Sequence, residues 1–307
     1  MNAPAIELRL LLAERCDLAC VFCHNEGQPG RDALLAATPD QIAQIVGDLR
    51  AWGEVRVKFS GGEPTLHPRL GEYLAAVNAQ GVTDATLITN ANDPGALGRL
   101  AGRRPFRVSV NLPAALAEDY ANLTRGSFQA VIASCRLLAE SGVEFALNSY
   151  WPLRRAPARL VPLVELAREL KGTLKILCPC QVTDPDQQRR VLAPLAEVLT
   201  GLGYTGVRQE DHKWFFQRGA HVIRLQTPWC PVVCTARRKE RRSVRITAAG
   251  LIHGCLDSRT QYFGSIYADR EQRRRQLGRA LDAAGASCAG SGMRVAVLRR
   301  RENTARD

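Results

Sequence analysis

Ile6-Glu-Leu-Arg-Leu-Leu-Leu12-Ala-Glu-Arg-Cys16-Asp-Leu-Ala-Cys20-Val-Phe-Cys23 is the stretch on which the reading of this chain turns. An apolar run of strand length leads directly into a loop that carries three cysteines within eight residues. At about 3.5 Å per extended residue, the step from Cys16 to Cys20 spans at most about 14 Å, enough for a loop to wrap a cubane cluster. Three thiolates occupy three irons and leave the fourth open to a ligand. The competing reading is a zinc site, closed by His24 or by a distant residue.

Outward from that loop, short apolar runs alternate with longer segments of helical period, the pattern of βα units. Strands are predicted at about Ile6–Leu12, Val55–Phe59, Ala85–Thr89, Phe106–Val110, Glu144–Tyr150 and Thr173–Leu177. Helices fall between them at Pro39–Ala51, Pro68–Gln80, Phe128–Ser141 and Pro162–Lys171, with Thr38 as N-cap of the first. Such a series predicts an α/β fold, a partial (βα)6 barrel whose active site lies in the loops at the C-terminal ends of the strands. After Asp184 the rhythm changes to one helix, Gln187–Gly201, and then to segments around Trp214–Phe216 and His221–Gln226. The expected organisation is a barrel over residues 1–184, a smaller cysteine-bearing region over 185–286 and a frayed tail over 287–307, in which Met293–Leu298 could add a strand.

Composition narrows the class. With 46% apolar and 23% charged residues the chain reads as globular, and it has no apolar run long enough to span a membrane. The N-terminal stretch lacks a basic lead-in and a cleavage site, so a cytoplasmic protein is expected. Ten cysteines in a reducing compartment point to metal or redox chemistry rather than disulfides. The net charge of +12 gathers in Arg237–Arg245, Arg270–Arg275 and Arg299–Arg301. Those runs read first as solvated faces and second as a field that draws an anionic substrate. Nucleic acid is a weaker reading, since no aromatic stacking motif accompanies the arginines.

The loop Cys16-x3-Cys20-x2-Cys23, with Phe22 before the third cysteine, resembles that of the radical S-adenosylmethionine (SAM) superfamily. After the second predicted strand, Ser60-Gly61-Gly62-Glu63-Pro64 is similar to the superfamily's GGEP motif, which receives the amino group of SAM. Glycines there allow a close backbone approach, and Glu63 offers an acceptor to an ammonium. Thr89 and Asn90 after the third strand, and Ser109 and Asn111 at the fourth, stand where the superfamily places polar contacts to SAM; each also reads as a strand-end cap. The resemblance implies a 4Fe-4S cluster whose open iron binds SAM, and an electron that splits SAM to yield a 5′-deoxyadenosyl radical. The electron comes from a donor such as flavodoxin, because protein cluster potentials range over roughly −700 to +450 mV and a sulfonium needs the low end.

Nearly the whole chain is further similar to the GTP 3′,8-cyclase family of molybdenum cofactor biosynthesis. Leu8-Arg9-Leu10, Val57-Lys58-Phe59-Ser60-Gly61, Thr124-Arg125-Gly126 and Val244-Arg245-Ile246-Thr247 through Cys255-Leu256 carry the likeness. It implies a second, auxiliary 4Fe-4S cluster on Cys230, Cys234 and Cys255, for which a zinc clip or incidental cysteines are the alternatives. Arg9, Lys58, Arg125 and Arg245 would meet a phosphate or carboxylate of the substrate, or else form surface ion pairs. The departures fall on substrate binding: Cys230 and Cys234 are spaced by three residues rather than two, a basic insertion precedes Val244, Ser243 replaces one of two paired arginines, and the family's Gly-Gly tail has no counterpart. The expectation is therefore a relative adapted to another polar small molecule, a nucleotide or sugar in a specialised biosynthetic pathway, with GTP cyclisation as the runner-up. Cys178 and Cys180, at the end of the sixth strand, are candidate catalytic hydrogen-atom donors of the kind radical SAM sugar epimerases use, with Cys255 as a substitute and core packing as the plain alternative. An aminoglycoside substrate sits poorly with the positive charge. Two other classes remain: a zinc-stabilised binding module and an RNA modifier.

Overall fold

A computed structural model of the chain describes residues 5–23, 26, 28, 32–103, 106–152, 154–178, 185–210, 212–227, 242–254 and 262–283. Six strands lie side by side in chain order, all parallel: β1 (Ile6–Leu11), β2 (Val55–Ser60), β3 (Ala85–Thr89), β4 (Arg107–Asn111), β5 (Phe145–Tyr150) and β6 (Thr173–Leu177). Helices α1 (Pro39–Arg50), α2 (Leu70–Ala79), α3 (Pro94–Leu100), α4 (Ala117–Thr124), α5 (Phe128–Glu140) and α6 (Leu160–Glu169) provide the crossovers. Strand alternation separates two faces. Ile6, Leu8, Leu10, Val57, Phe59, Leu87 and Leu147 are buried in the apolar core, while Glu7, Arg9 and Lys58 take the opposite face. That second face lines an open lumen.

Local signals start the helices where the sequence places them. Thr38 caps α1 in a complete capping box with Gln41, and Ser127 and Asp93 cap α5 and α3 through the amides of Ala130 and Ala96. α3 and α4 have seven and eight residues, too short for periodicity to reveal.

The sheet continues across residue 184 instead of ending there. After α7 (Pro185–Gly201), strands β7 (Thr205–Glu210), β8 (Lys213–Arg218) and β9 (His221–Gln226) form an antiparallel meander whose last member pairs parallel with β6. The chain then reappears at the other edge, where β10 (Ser243–Ile246) pairs parallel with β1 and leads to β11 (Leu251–His253) and β12 (Gly264–Ser265). The result is one twelve-stranded sheet with the order β12-β11-β10-β1-β2-β3-β4-β5-β6-β9-β8-β7. Among the described residues no pairing joins its edges, so the barrel is partial. The smaller C-terminal region of the sequence reading is thus laid along both edges of the barrel sheet.

α8 (Arg270–Ala283) anchors this return. Its Arg270 and Arg273 reach Asp48 of α1 at 3.1 and 3.6 Å, and both Asp48 and Arg273 are buried. The arginine run here is therefore not wholly a solvated face, since part of it is spent on a buried helix-to-helix ion pair. No helix among the described residues is long and apolar enough to cross a membrane.

Candidate active site

The three-cysteine loop rises from the C-terminal end of β1 and is held by its backbone. Ala19 and Val21 donate their amides to the carbonyls of Thr124 and Leu123, each at 3.0 Å. These are orphan carbonyls at the end of α4, so the helix terminus and the loop satisfy one another. Cys23 closes a turn by donating to the carbonyl of Cys20 at 3.1 Å.

The glycine turn after β2 packs against the segment entering that loop. Gly62 donates to the carbonyl of Ala13 at 2.7 Å and Glu63 to that of Arg15 at 2.9 Å. A Cβ at Gly62 would lie 2.0 Å from the Arg15 carbonyl oxygen, and one at Gly61, where φ is +137°, 2.5 Å from that of Ala13. The glycines are needed for contact between the two backbones that frame the site, a demand that ligand approach alone did not reveal. Pro64 begins a short 3-10 turn behind them.

Glu63 is the keystone. It is 1% exposed, and its carboxylate accepts from the Thr65 amide (3.0 Å), the Thr65 hydroxyl (2.7 Å), the Thr89 hydroxyl (2.7 Å) and the Asn90 amide (2.7 Å). Burial raises its pKa, and the donors act against that shift. Three of the four bonds fall on Oε1, so Oε2 keeps acceptor capacity for an ammonium.

Asn90 then bridges to the cysteine loop. Its amide nitrogen donates to Asp17 Oδ1 at 2.7 Å and lies 3.6 Å from Cys16 Sγ, which also receives the Leu18 amide at 3.4 Å. Asn92 donates to Asp17 Oδ2 at 2.9 Å and accepts from the Ser127 amide at 3.3 Å. On the far side of the loop, Phe22 stacks on Tyr150 with ring centroids 5.0 Å apart.

The thiols suit a cluster. Burial pushes Cys16 up to about 11 and, with Cys23 and Cys16 as repelling neighbours, Cys20 up to about 12. Without metal Cys16 and Cys20 are protonated, and ligation has to release those protons. Among the described residues no three Cys, His, Asp or Glu side chains converge on one point as around a single ion. A cubane makes a different demand, one thiolate per iron.

Of the four basic residues read as substrate contacts, the structure brings three together and leaves one apart. Arg9 lies in register with Lys58 on one side and Arg245 on the other. All three are already engaged. Arg9 donates to both oxygens of Glu26 at 2.9 and 3.2 Å, Arg245 to Glu26 Oε2 at 2.8 Å and to its carbonyl at 2.6 Å, and Lys58 to Glu7. Ser60 adds a bond to Glu26 at 2.9 Å. Burial works against the charge of Arg9, but Glu26 and Glu7 outweigh it and hold the guanidinium's pKa above its ordinary value. Arg125 is exposed and ends α4 in the left-handed conformation (φ 62°), outside this row of strand residues.

Ser109 is buried and accepts from Lys175 at 3.4 Å, and Asn111 stands in register with Asn148 on the lumen face. Cys178 is corrected to its plain reading: it is 7% exposed, lies in the apolar core cluster with Ile176, and burial alone pushes its thiol up to about 12. A hydrogen-atom donor has to face the substrate, and Cys178 does not. Cys180, Cys230, Cys234 and Cys255 lie outside the described residues. A shallow cavity of about 470 Å³ between Thr83, Phe106 and Glu144 sits at the N-terminal ends of the strands, opposite the end where parallel barrels carry their chemistry.

Residues 10–151 match the model of the radical SAM superfamily. That segment carries a radical SAM domain. The superfamily implies a 4Fe-4S cluster and SAM, and the loop of Cys16, Cys20 and Cys23, which lies within the matched residues, fits that cluster. A probable GTP 3′,8-cyclase of Methanopyrus kandleri is 29% identical over 81% of this chain and 80% of its own length. Another from Metallosphaera sedula is 27% identical over 54% of this chain, which spans about half (53%) of that relative. The fold is shared with solved structures. SuiB of Streptococcus suis, crystallised with its precursor peptide SuiA, superposes with a TM-score of 0.70 at 17% identity, covering 94% of this chain and 67% of SuiB. The anSMEcpe structure with bound AdoMet gives 0.62 at 13%, over 92% and 84%.

Several participants in this site were not apparent from the sequence. Glu7 was open to it, since i, i+2 spacing puts it on the face of Arg9. Asp17 sits between two ligands, which is a weaker signal. Glu26, Tyr150 and Lys175 reach the site only through tertiary placement.

Proposed function

We propose that this protein is a radical SAM enzyme that cleaves SAM reductively and abstracts hydrogen from a polar small molecule of nucleotide or sugar type held in the lumen. The observation that carries the reading is the interlock at the ends of β1, β2 and β3. The three-cysteine loop, the Gly61-Gly62-Glu63 turn and Thr89-Asn90 hold one another by hydrogen bonds and close backbone contact before any ligand arrives. Such preorganisation fixes a bound cosubstrate over the lumen at small entropic cost.

Cys16, Cys20 and Cys23 would ligate the cluster, which when bound supplies the electron that splits SAM into methionine and the 5′-deoxyadenosyl radical. Glu63 Oε2 would accept from the SAM ammonium, and Phe22 and Tyr150 would wall off the loop. Asn90 and Leu18 donate toward Cys16 Sγ, which draws charge from that sulfur and favours the reduced state. The electron comes from an external donor of flavodoxin type, and an auxiliary cluster on Cys230, Cys234 and Cys255 completes the proposal.

GTP 3′,8-cyclisation is the second reading, supported by the relative that matches 81% of the chain. The test is anaerobic incubation of reconstituted, dithionite-reduced protein with SAM, and with GTP, nucleoside phosphates and aminosugars in turn. Release of 5′-deoxyadenosine that disappears in Cys16→Ala, Cys20→Ala and Cys23→Ala proteins is expected; no release from the parent would overturn the reading.

A further inference from the structure

We infer that the lumen selects a substrate bearing a single anionic group, which docks on the β6–β9 wall at Lys175 and Arg224, while Glu7 and Glu26 act as built-in counter-anions that turn polyphosphates away from the β10–β1–β2 wall. The inference rests on the reading of the lumen as substrate chamber, and names what that chamber accepts.

The two walls carry similar cations in opposite states. On the β10–β1–β2 wall, Arg245, Arg9 and Lys58 stand in one register row, facing two carboxylates of the same chain. Glu26 is filled: Oε1 accepts from Arg9 and Ser60, and Oε2 from Arg9 and Arg245. A polyphosphate entering there has to break part-buried charged pairs and leave the carboxylates beside its own negative charge, which is unfavourable twice over.

On the β6–β9 wall, Lys175 and Arg224 are direct register partners on neighbouring strands. Among the described residues neither has a carboxylate within ion-pair distance. Lys175 touches only the neutral hydroxyl of Ser109, at 3.4 Å. The Nε of Arg224 is buried with no hydrogen-bond partner, and so is Oε1 of Gln226, two residues along the same face. Two adjacent, partly buried cations repel each other, and the Nε of Arg224 is a buried donor with no acceptor, a standing cost to the fold. One carboxylate or one phosphate between them removes that repulsion and supplies acceptors to both. Across the lumen, among the described residues, Arg9, Arg245 and Lys58 are taken by Glu26 and Glu7, so a chain of linked phosphates would have to break those pairs to extend onto them.

The experiment measures binding of radiolabelled orthophosphate, acetate and tripolyphosphate to the reconstituted full chain by equilibrium dialysis, in magnesium-free buffer at physiological ionic strength, so that surface arginines are screened. Lys175→Met and Arg224→Met are each expected to weaken orthophosphate and acetate about tenfold or more, with Lys175→Arg retaining them. Lys175→Met loses an uncompensated charge and should fold at least as well as the parent, so a thermal melt separates lost binding from lost structure. The double change Glu7→Gln with Glu26→Gln is expected to tighten tripolyphosphate about tenfold and leave orthophosphate within about threefold. Orthophosphate and acetate binding that ignores Lys175→Met and Arg224→Met, or tripolyphosphate binding that ignores the glutamate changes, overturns the inference. SAM cleavage by the parent without substrate is scored separately: if cleavage fails while the anion pattern holds, only the enzymatic reading falls, and the reverse result removes only the selectivity.

Discussion

The ends of β1, β2 and β3 and the wall formed by β6 and β9 face the same lumen, yet they treat their polar groups in opposite ways. At the first, nearly every group has an intramolecular partner: Glu63 takes four donors and Asp17 is held by Asn90 and Asn92. At the second, Lys175 has a hydroxyl and Arg224 an orphaned Nε. The contrast separates a frame that must be rigid before its ligand binds from a surface that keeps capacity for a partner. Satisfied networks fix geometry, and unsatisfied ones store affinity. Perturbing the frame should therefore cost structure and cluster together, whereas perturbing the wall should leave the frame intact.

The largest effect is expected at the keystone. Glu63→Ala strands the Thr65 and Asn90 amides and two hydroxyls in a buried site, a loss of at least about 3 kcal/mol. Urea unfolding should show it, and iron per chain after reconstitution should fall with it. Full iron content in a Glu63→Ala protein would mean the cysteine loop is positioned without the network. Gly62→Ala comes next. Its new methyl would meet the Arg15 carbonyl at 2.0 Å, and the backbone has to separate, at about 2–3 kcal/mol. Because the collision is with the segment entering the cysteine loop, cluster uptake should drop more than in a Gly102→Ala control, where nothing lies within 4 Å.

This contrast also explains what the sequence could disclose. The six parallel strands were legible because each is a local apolar run, and Thr38 with Gln41 announces α1 within four residues. Cys16, Cys20 and Cys23 and the Gly61-Gly62-Glu63 turn were legible as spacings. What a spacing does not contain is pairing across the chain. That Ser243–Ile246 lies beside β1 follows from a contact more than two hundred residues long in sequence, and the basic insertion before it hid the strand's start. Arg9, Lys58 and Arg245 were recognisable as lumen cations, but their commitment to Glu7 and Glu26 was not, because Glu26 arrives from a loop with no periodicity. Cys178 illustrates the converse. Its position at a strand end suggested the cavity, while the side-chain parity it shares with Ile176 and Leu174 puts it in the core.

A smaller effect is expected on the wall, and it has a pH signature. Burial first, then the positive charges of Arg224, Arg107 and Lys58, lower the pKa of Lys175 from its ordinary 10.5 to about 7. Between those values the unfolded chain binds a proton at this lysine that the folded chain does not, so this residue's contribution makes stability rise as pH rises from about 7 toward 10.5. Below about 7 both states are charged and the contribution is flat. Lys175→Met should remove the rise, which is read as the parent-minus-variant difference in urea stability across that window and has a slope of at most about 1.4 kcal/mol per pH unit. A difference that stays constant with pH would show that Lys175 is charged in the fold and has an unseen counter-ion.

The smallest effect belongs to the aromatic contact that joins the two regions. Phe22 rides on the cysteine loop and Tyr150 ends β5, so their stack, with planes 22° apart, is the link between the frame and the strands leading to the β6–β9 wall. Offset-stacked aromatic pairs contribute about 0.5–1.5 kcal/mol beyond burial. Tyr150→Leu should therefore leave iron content unchanged and lower stability by about 1 kcal/mol or less. If the stack positions the loop over the lumen, the same change should raise the fraction of SAM cleaved without substrate turnover, measured as 5′-deoxyadenosine released per product. Tyr150→Phe keeps the stack and should restore the parental ratio, an outcome that loss of the hydroxyl alone could not produce. Equal uncoupling in the Tyr150→Leu and Tyr150→Phe proteins would assign the effect to the phenol oxygen and detach the frame from the wall.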